Sequence, residues 1–233
     1  MIVALILAGG VGNRMNMGGL PKQYLMIRER PVIDYCLCTF QSHPSIDKIV
    51  IVADEQWHEF IDVWLKNSNI TKFAAYAPPG KTRQLSIYNG LIVINSIDAQ
   101  SVESVIIHDA ARPLVPETLI TNCLQGLKEA DGVMPVLPIK DTCYQSKDGK
   151  NISGFLPRNQ LFIGQAPEAF HFNTYLKIHQ QLSEDYLQNI SGSSELAYKN
   201  GLKVVMIPGD ERNFKITTKS DMLLLEKYLD SED

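Results

Sequence analysis

Five short apolar runs in this chain lack the polar–apolar alternation of a strand with one wet face. They are Ile2–Leu7 (IVALIL), Lys48–Val52 (KIVIV), Ser104–Ile107 (SVII), Gly132–Val136 (GVMPV) and Lys203–Ile207 (KVVMI). A strand that is apolar on both sides must be covered on both sides, which is the condition of a parallel sheet. Helical stripes lie between the runs. Val32, Ile33, Cys36, Leu37 and Phe40 share one face, as do Leu119, Ile120, Cys123, Leu124 and Leu127 after a Pro116-Glu117 start. In Ser220–Leu229, Met222, Leu225 and Leu229 form a third stripe. The alternation predicts an α/β chain with a doubly wound, Rossmann-like, mostly parallel sheet and right-handed crossovers. Ligands of such sheets bind beyond the C-terminal ends of the strands.

The 233 residues suit one domain, 1–233, and the 45% hydrophobic share supplies a full core. Lys+Arg number 22 against 26 Asp+Glu, a net charge of −4. That balance argues against a duplex nucleic-acid partner but leaves a small anionic substrate open, because a pocket can be basic while the protein is not. No apolar run approaches the ~20 residues of a membrane helix, and Ile2 to Ala8 reads as a buried strand and not a signal peptide. Cys36, Cys38, Cys123 and Cys143 are scattered with no CxxC pair, as expected of reduced core thiols. The expectation is a soluble, cytoplasmic protein without a membrane partner. One stretch, about 137–170, breaks the alternation with short β-like pieces and turn signals such as Asp148-Gly149 and Ser153-Gly154. It reads as a hairpin-like excursion, either a surface flap or an arm that clasps a second copy.

Candidate chemistry collects at the strand ends. The first run leads into Ala8-Gly9-Gly10-Val11-Gly12-Asn13-Arg14-Met15. Glycines let backbone N–H groups approach a phosphate chain. Met15 breaks a GxGxxG fingerprint, and no Gly-Lys-Ser/Thr follows. Arg14 and the Lys22 of Pro21-Lys22-Gln23-Tyr24 add two cations, which suits a nucleoside triphosphate. Gly80-Lys81-Thr82-Arg83-Gln84-Leu85-Ser86 is either a solvated helix start or a source of donors to a base or ribose. The run at 104–107 ends in His108-Asp109-Ala110-Ala111-Arg112-Pro113. Asp109 there is placed for Mg²⁺, for substrate hydroxyls, or for a structural pair with Arg112. Lys215, between Phe214 and Ile216, is either snorkelling or aimed into a polar site.

In this order the motifs resemble the cytidylyltransferases that make CDP-methylerythritol and CDP-ribitol. The matching words are LAGGxGxRM at 7–15, PKQYL at 21–25, Arg83 with Ser86, HDAARP at 108–113, KDT at 140–142, PRN at 157–159, GQAPEAF at 164–170 and NFKIT at 213–217. They span nearly the whole chain. HDAARP looks more like the methylerythritol branch, and the Gly-Gln before Ala166-Pro167 more like the ribitol branch. The resemblance implies a nucleotidyltransferase variant of the doubly wound fold, a homodimer clasped by arms, CTP, Mg²⁺ and release of pyrophosphate. By motif match, Ala8, Gly9, Gly10, Arg14, Lys22, Gly80, Ser86 and Ala110 would line the CTP site. Asp109, Arg112, Thr142, Arg158 and Lys215 would hold the polyol phosphate, some of them from the neighbouring subunit. Arg14, Lys22 and Lys215 would be the catalytic cations, with Asp109 a possible metal ligand.

Two departures fall on the acceptor side. Ala166 stands where the family carries Thr, and the family's Thr-Asp becomes Ser191-Gly192, so that Ser191 replaces a Thr and the Asp is absent. The first-choice acceptor is therefore 2-C-methyl-D-erythritol 4-phosphate, from HDAARP, and the alternative is ribitol 5-phosphate or another polyol phosphate destined for a surface polymer. A catalytically silent nucleotide-binding protein is the alternative of a different class. Retention of Arg14, Lys22 and Lys215 argues against it, because converging cations are costly to keep without anions to hold. A nicotinamide-dependent oxidoreductase ranks third, disfavoured by Met15.

Overall fold

The computed structural model describes residues 1–10, 20–98 and 100–231. The elements run β1 (Ile2–Leu7), β2 (Met26–Ile27), β3 (Arg30–Pro31), α1 (Val32–Ser42), β4 (Lys48–Val52), α2 (His58–Asn67), β5 (Phe73–Ala77), α3 (Arg83–Asp98), β6 (Ser104–Asp109), α4 (Glu117–Gly126) and β7 (Gly132–Pro138). They continue as β8 (Cys143–Gln145), β9 (Gly154–Leu156), β10 (Phe162–Gly164), β11 (Glu168–His171), α5 (Phe172–Gln181), α6 (Glu184–Gln188), α7 (Ser193–Lys199), β12 (Val204–Pro208) and α8 (Lys219–Asp230).

Among the described residues, eight strands form one sheet in the order β10-β7-β11-β6-β1-β4-β5, with β12 on the other edge of β7. The centre is parallel: Leu7 pairs with Val52 of β4 and with Asp109 of β6, so these three strands end at one level. Of the five unpatterned apolar runs, those at 2–7, 48–52, 104–107 and 132–136 are largely buried strands, as both-face coverage requires, whereas the run at 203–207 is the edge strand β12, partly exposed with Met206 open to solvent. One core cluster, with Ile6, Ile33, Phe40 and Ile51, fills one face, and a second, with Leu5, Ile87, Leu91 and Phe170, fills the other. A smaller cluster joins Leu25, Ile27 and Val32 to Ile216, Leu225 and Leu229 of the C-terminal segment. Thr218 caps α8 in a reciprocal capping box with Asp221. No helix among the described residues is long and apolar enough to cross a membrane.

The sheet departs from the expected pattern in one place. β11 runs antiparallel to both β6 and β7 and separates them. This also corrects the extent of the excursion. Residues expected to belong to it up to 170 are sheet: Phe162–Gly164 pairs with β7, and Ala169 and Phe170 are fully buried. Their backbone groups find partners in the sheet, which a solvent-facing arm does not offer. The excursion proper covers 139–161, closed at its base by Ile139 N–H donating to the Leu161 carbonyl (3.2 Å). Its core is the antiparallel pair β8–β9.

Candidate active site

The level ends of β1, β4 and β6 open into a cavity of about 730 Å³. Its floor and walls come from four loops. After β1, Ala8, Gly9 and Gly10 line it; after β5, Pro79 and Gly80 do. The two loops touch: a Cβ on Gly9 would sit 2.5 Å from the Pro79 Cβ, so this close approach requires glycine. Gly80 is as tightly held, its N–H donating to Ser86 Oγ (2.9 Å) on the first turn of α3.

The PKQY word has a mechanical meaning. Residues Lys22–Tyr24 form a 3₁₀ turn whose inward side chains grip the β1 loop. Gln23 Nε2 donates to the carbonyls of Ala8 and, at 2.9 Å, of Gly10. Tyr24 Oη donates to Ala8 O (3.0 Å), and its ring stacks on Trp57 at 4.4 Å. With its neighbours buried, Lys22 is left on the cavity wall.

Opposite Lys22, a charged hub surrounds Asp109, which is 8% exposed. Its Oδ1 accepts from Arg83 Nε (3.2 Å) and its Oδ2 from Lys215 Nζ (2.9 Å), with Arg112 Nε 3.6 Å away. Burial alone raises the Asp109 pKa. Arg83, Lys215 and Arg112 together outweigh it and hold the carboxylate well below its ordinary range. Arg83 reaches past Asp109 to two further elements. Its Nη2 lies 3.2 Å from Glu168 Oε2 of β11, and its Nη1 donates to Ser193 Oγ of α7 (2.7 Å). Glu168 is 6% exposed, and its Oε1 accepts from both Ser194 N (3.0 Å) and Ser194 Oγ (2.8 Å).

The HDAARP turn follows from its small and aromatic members. Fully buried His108 donates through Nε2 to the Arg112 carbonyl (2.9 Å), and burial lowers its pKa to about 4, so the ring is neutral. Ala110 N–H donates to Leu7 O (3.0 Å) and Ala111 O accepts from Ile216 N–H (2.8 Å). That last bond brings the NFKIT segment, and with it Lys215, to the strand ends. Gln165 secures the same segment, donating through Nε2 to the carbonyls of Asp210 (2.9 Å) and Asn213 (3.3 Å).

Of the residues expected to serve the site, Ala8, Gly9, Gly10, Lys22, Gly80, Ser86, Asp109 and Lys215 line this one cavity. Arg112 stands behind it, holding Asn213 O (2.7 Å) beside Asp109. Arg14 lies outside the described residues. Ala110 is fully buried, and its neighbour Ala111 is the residue that reaches the cavity wall. Ser191 is exposed, and its N–H donates to Glu195 Oε2 (2.9 Å) in a local turn. Because α7 begins at Ser193, the residues of its first turn, Ser193 and Ser194, face inward in its place. Ala166, the other departure, is buried and takes no part in the cavity lining. Thr142 and Arg158 are exposed on the excursion, away from this cavity; Arg158 Nη1 donates to Lys140 O (3.0 Å).

Sequence reasoning missed Glu168 and Ser193 and noted Arg83 only within a helix start. The signal for Arg83 was in its word; its two carboxylate partners lie 26 and 85 residues away and had no local trace. Among the described residues no three His, Cys, Asp or Glu side chains come together as a metal-binding group.

The family model for 2-C-methyl-D-erythritol 4-phosphate cytidylyltransferase (IspD) matches residues 2–231. A Streptococcus agalactiae protein named ribitol-5-phosphate cytidylyltransferase is 31% identical over 233 residues, covering all of this chain and 97% of the relative. A Clostridium botulinum protein named 2-C-methyl-D-erythritol 4-phosphate cytidylyltransferase is 36% identical over 231 residues, covering 97% and 96%. The solved 4-diphosphocytidyl-2C-methyl-D-erythritol synthase of Anaerococcus prevotii superposes with a TM-score of 0.83 at 25% identity, covering 98% of this chain and 96% of that one.

Proposed function

This chain belongs to the 2-C-methyl-D-erythritol 4-phosphate cytidylyltransferase (IspD) family, and from that premise we propose how its residues divide the work and which acceptor they take. The chain is a nucleotidyltransferase that moves a cytidylyl group from CTP to a polyol phosphate. One observation carries the division of labour: Lys22 and Lys215 line one cavity together with Asp109, and Lys215 donates to the Asp109 carboxylate (2.9 Å).

The nucleophile is a phosphate monoester oxygen of the acceptor, already largely dianionic at neutral pH because its second pKa is ~6. It needs no general base, and the buried, neutral His108 offers none to the cavity. The oxygen bonds to the α-phosphorus of CTP, the bond to the α–β bridging oxygen breaks, and pyrophosphate leaves with that electron pair. The barrier lies in aligning two anions while charge builds on the bridging and equatorial oxygens. Lys22 neutralises the triphosphate, a part the motif match also assigns to Arg14; Lys215 meets the α-phosphate and the incoming anion. Asp109 and Arg112 orient the acceptor, Asp109 as an acceptor of its hydroxyl protons.

A magnesium ion would fit here with the nucleotide's own phosphate oxygens as its main ligands and Asp109 as the one carboxylate of the hub that also lines the cavity. Each Asp109 oxygen already accepts one cationic N–H and retains a lone pair, enough to hold a hydrated ion but not to cage one. Bound there, the ion would supply further neutralisation of the triphosphate. The arm serves a second copy of the chain. Phe155 (70% exposed) and Tyr144 (57%) form an apolar pair on it, and Thr142 and Arg158 are exposed and line no part of the strand-end cavity. The free thiols Cys36, Cys38, Cys123 and Cys143 suit a reducing compartment, the cytoplasm.

We take 2-C-methyl-D-erythritol 4-phosphate as the acceptor, in keeping with HDAARP and with the higher identity to relatives of that name. Ribitol 5-phosphate is the second reading, favoured by Gln165, whose amide holds the segment that carries Lys215. Pyrophosphate release with CTP and Mg²⁺ should appear with one of these and not with glycerol 3-phosphate, nor with ATP, GTP or UTP. Release with ribitol 5-phosphate alone reverses the order of the two readings, and silence with every acceptor overturns the acceptor class.

A further inference from the structure

Arg83 lines the cavity and ties three elements together on what the proposed function makes its acceptor side. It opens α3 three residues after Gly80, whose loop shares a wall with the β1 glycines. Its guanidinium spans Asp109 on β6, Glu168 on β11 and Ser193 on α7. Guanidinium geometry explains why arginine is required: a planar fork can donate in several directions at once, and a lysine cannot. Glu168 is in turn fixed through its other oxygen by the Ser194 N–H and hydroxyl at the start of α7. Its charge therefore has a defined direction, toward Arg83.

We propose that Glu168 is a positioning residue for the acceptor: it holds Arg83 at a set distance from Asp109, and so sets how much of the Asp109 carboxylate is left for substrate hydroxyls. This rests on the reading of Asp109 as an acceptor contact. Buried charges interact strongly across such distances, and the removal of one member leaves the others to rearrange. Without the Glu168 charge, Arg83 has a single carboxylate partner and is drawn onto Asp109. The acceptor then competes with a tighter ion pair. CTP does not, because Gly80, Ser86 and the β1 loop are held by bonds that do not pass through Glu168.

The test is steady-state kinetics of the full chain with CTP and its working acceptor, for wild type, Glu168→Gln and Ser194→Ala. Gln keeps the volume and still accepts from Ser194 through its one oxygen, but it turns an NH2 toward Arg83, so the charge and the bond to Arg83 are lost together. Glu168→Gln should raise the acceptor KM about tenfold or more with the CTP KM within about twofold, as expected for loss of an acceptor-side interaction. Ser194→Ala keeps every charge and removes one of the two bonds that fix Glu168, leaving the backbone N–H, so it should raise the acceptor KM by about threefold, and it carries the test if the first variant does not fold. Equal rises in both KM values, or an unchanged acceptor KM in a folded variant, overturn the proposal. Wild type that turns over no polyol phosphate would overturn the functional reading instead, which keeps the two failures apart.

Discussion

Asp109 and Arg158 are both matched to the acceptor side of the reaction, yet they are built on opposite terms. Asp109 is buried among Arg83, Arg112 and Lys215, each fixed by bonds to other elements. Arg158 stands on an exposed turn of the arm and donates only to a neighbouring arm carbonyl among its described contacts. The described residues of the first half are held in one chain by bonds between elements. The second half presents its groups to solvent beside an apolar pair, where the proposed function sets a second copy. The comparison teaches that preorganisation is concentrated at the strand ends.

The largest effect should come from the cations of the first half. Lys215→Ala or Lys22→Ala should lower kcat by about 10²–10³-fold, on the order of 3–4 kcal/mol, with an unchanged circular dichroism spectrum. Near-normal turnover in either variant would break the electrostatic assignment. On the arm, Phe155→Asp should convert the species seen by analytical ultracentrifugation from dimer to monomer and abolish most turnover while CTP still raises the melting temperature. A monomeric wild type would remove the basis for a shared site. Arg158→Ala should act more gently, raising the acceptor KM about tenfold with no change in the CTP-induced melting shift. A loss in CTP binding would place the arm residue on the wrong half.

The smallest effect concerns stability. Burial holds His108 and His179 at about 4 in the folded chain, below the ordinary value near 6.5. Between those values the unfolded chain binds more protons, so folding stability must fall as the pH drops from 6.5 toward 4. The loss should be on the order of 1–2 kcal/mol per histidine between pH 7 and pH 5, measured by urea unfolding. His179→Gln, which touches Gln84 and Tyr175 but none of the cavity-lining residues, should flatten that slope. An unaltered slope would mean the ring is not held neutral.

Much of this arrangement was readable from local words. The apolar runs gave the covered strands, and LAGG, PKQY, HDAARP and NFKIT named loops that the fold gathers at one level. What escaped was non-local. β5 (FAAYA) is alanine-rich and half-exposed, with little of the β-branched signal of a buried strand. β11 sits between β6 and β7 against the chain direction, an insertion that no periodicity encodes. Ser191 matched the family word by position, but the helix start at Ser193 decided which hydroxyls face inward. Glu168 looked like an ordinary polar residue until the sheet brought it to Arg83.

The two lysines lie near opposite ends of the chain, and one small apolar cluster underlies both. Leu25 and Ile27 follow Lys22; Ile216 follows Lys215; Leu225 and Leu229 of α8 pack between them, and Arg28 pairs with Asp230 at the helix end. Every strand of the sheet precedes Lys215 in sequence. During synthesis, then, Lys215 is the last of the site's charged groups to arrive, and it joins strand ends whose own chain has already been made.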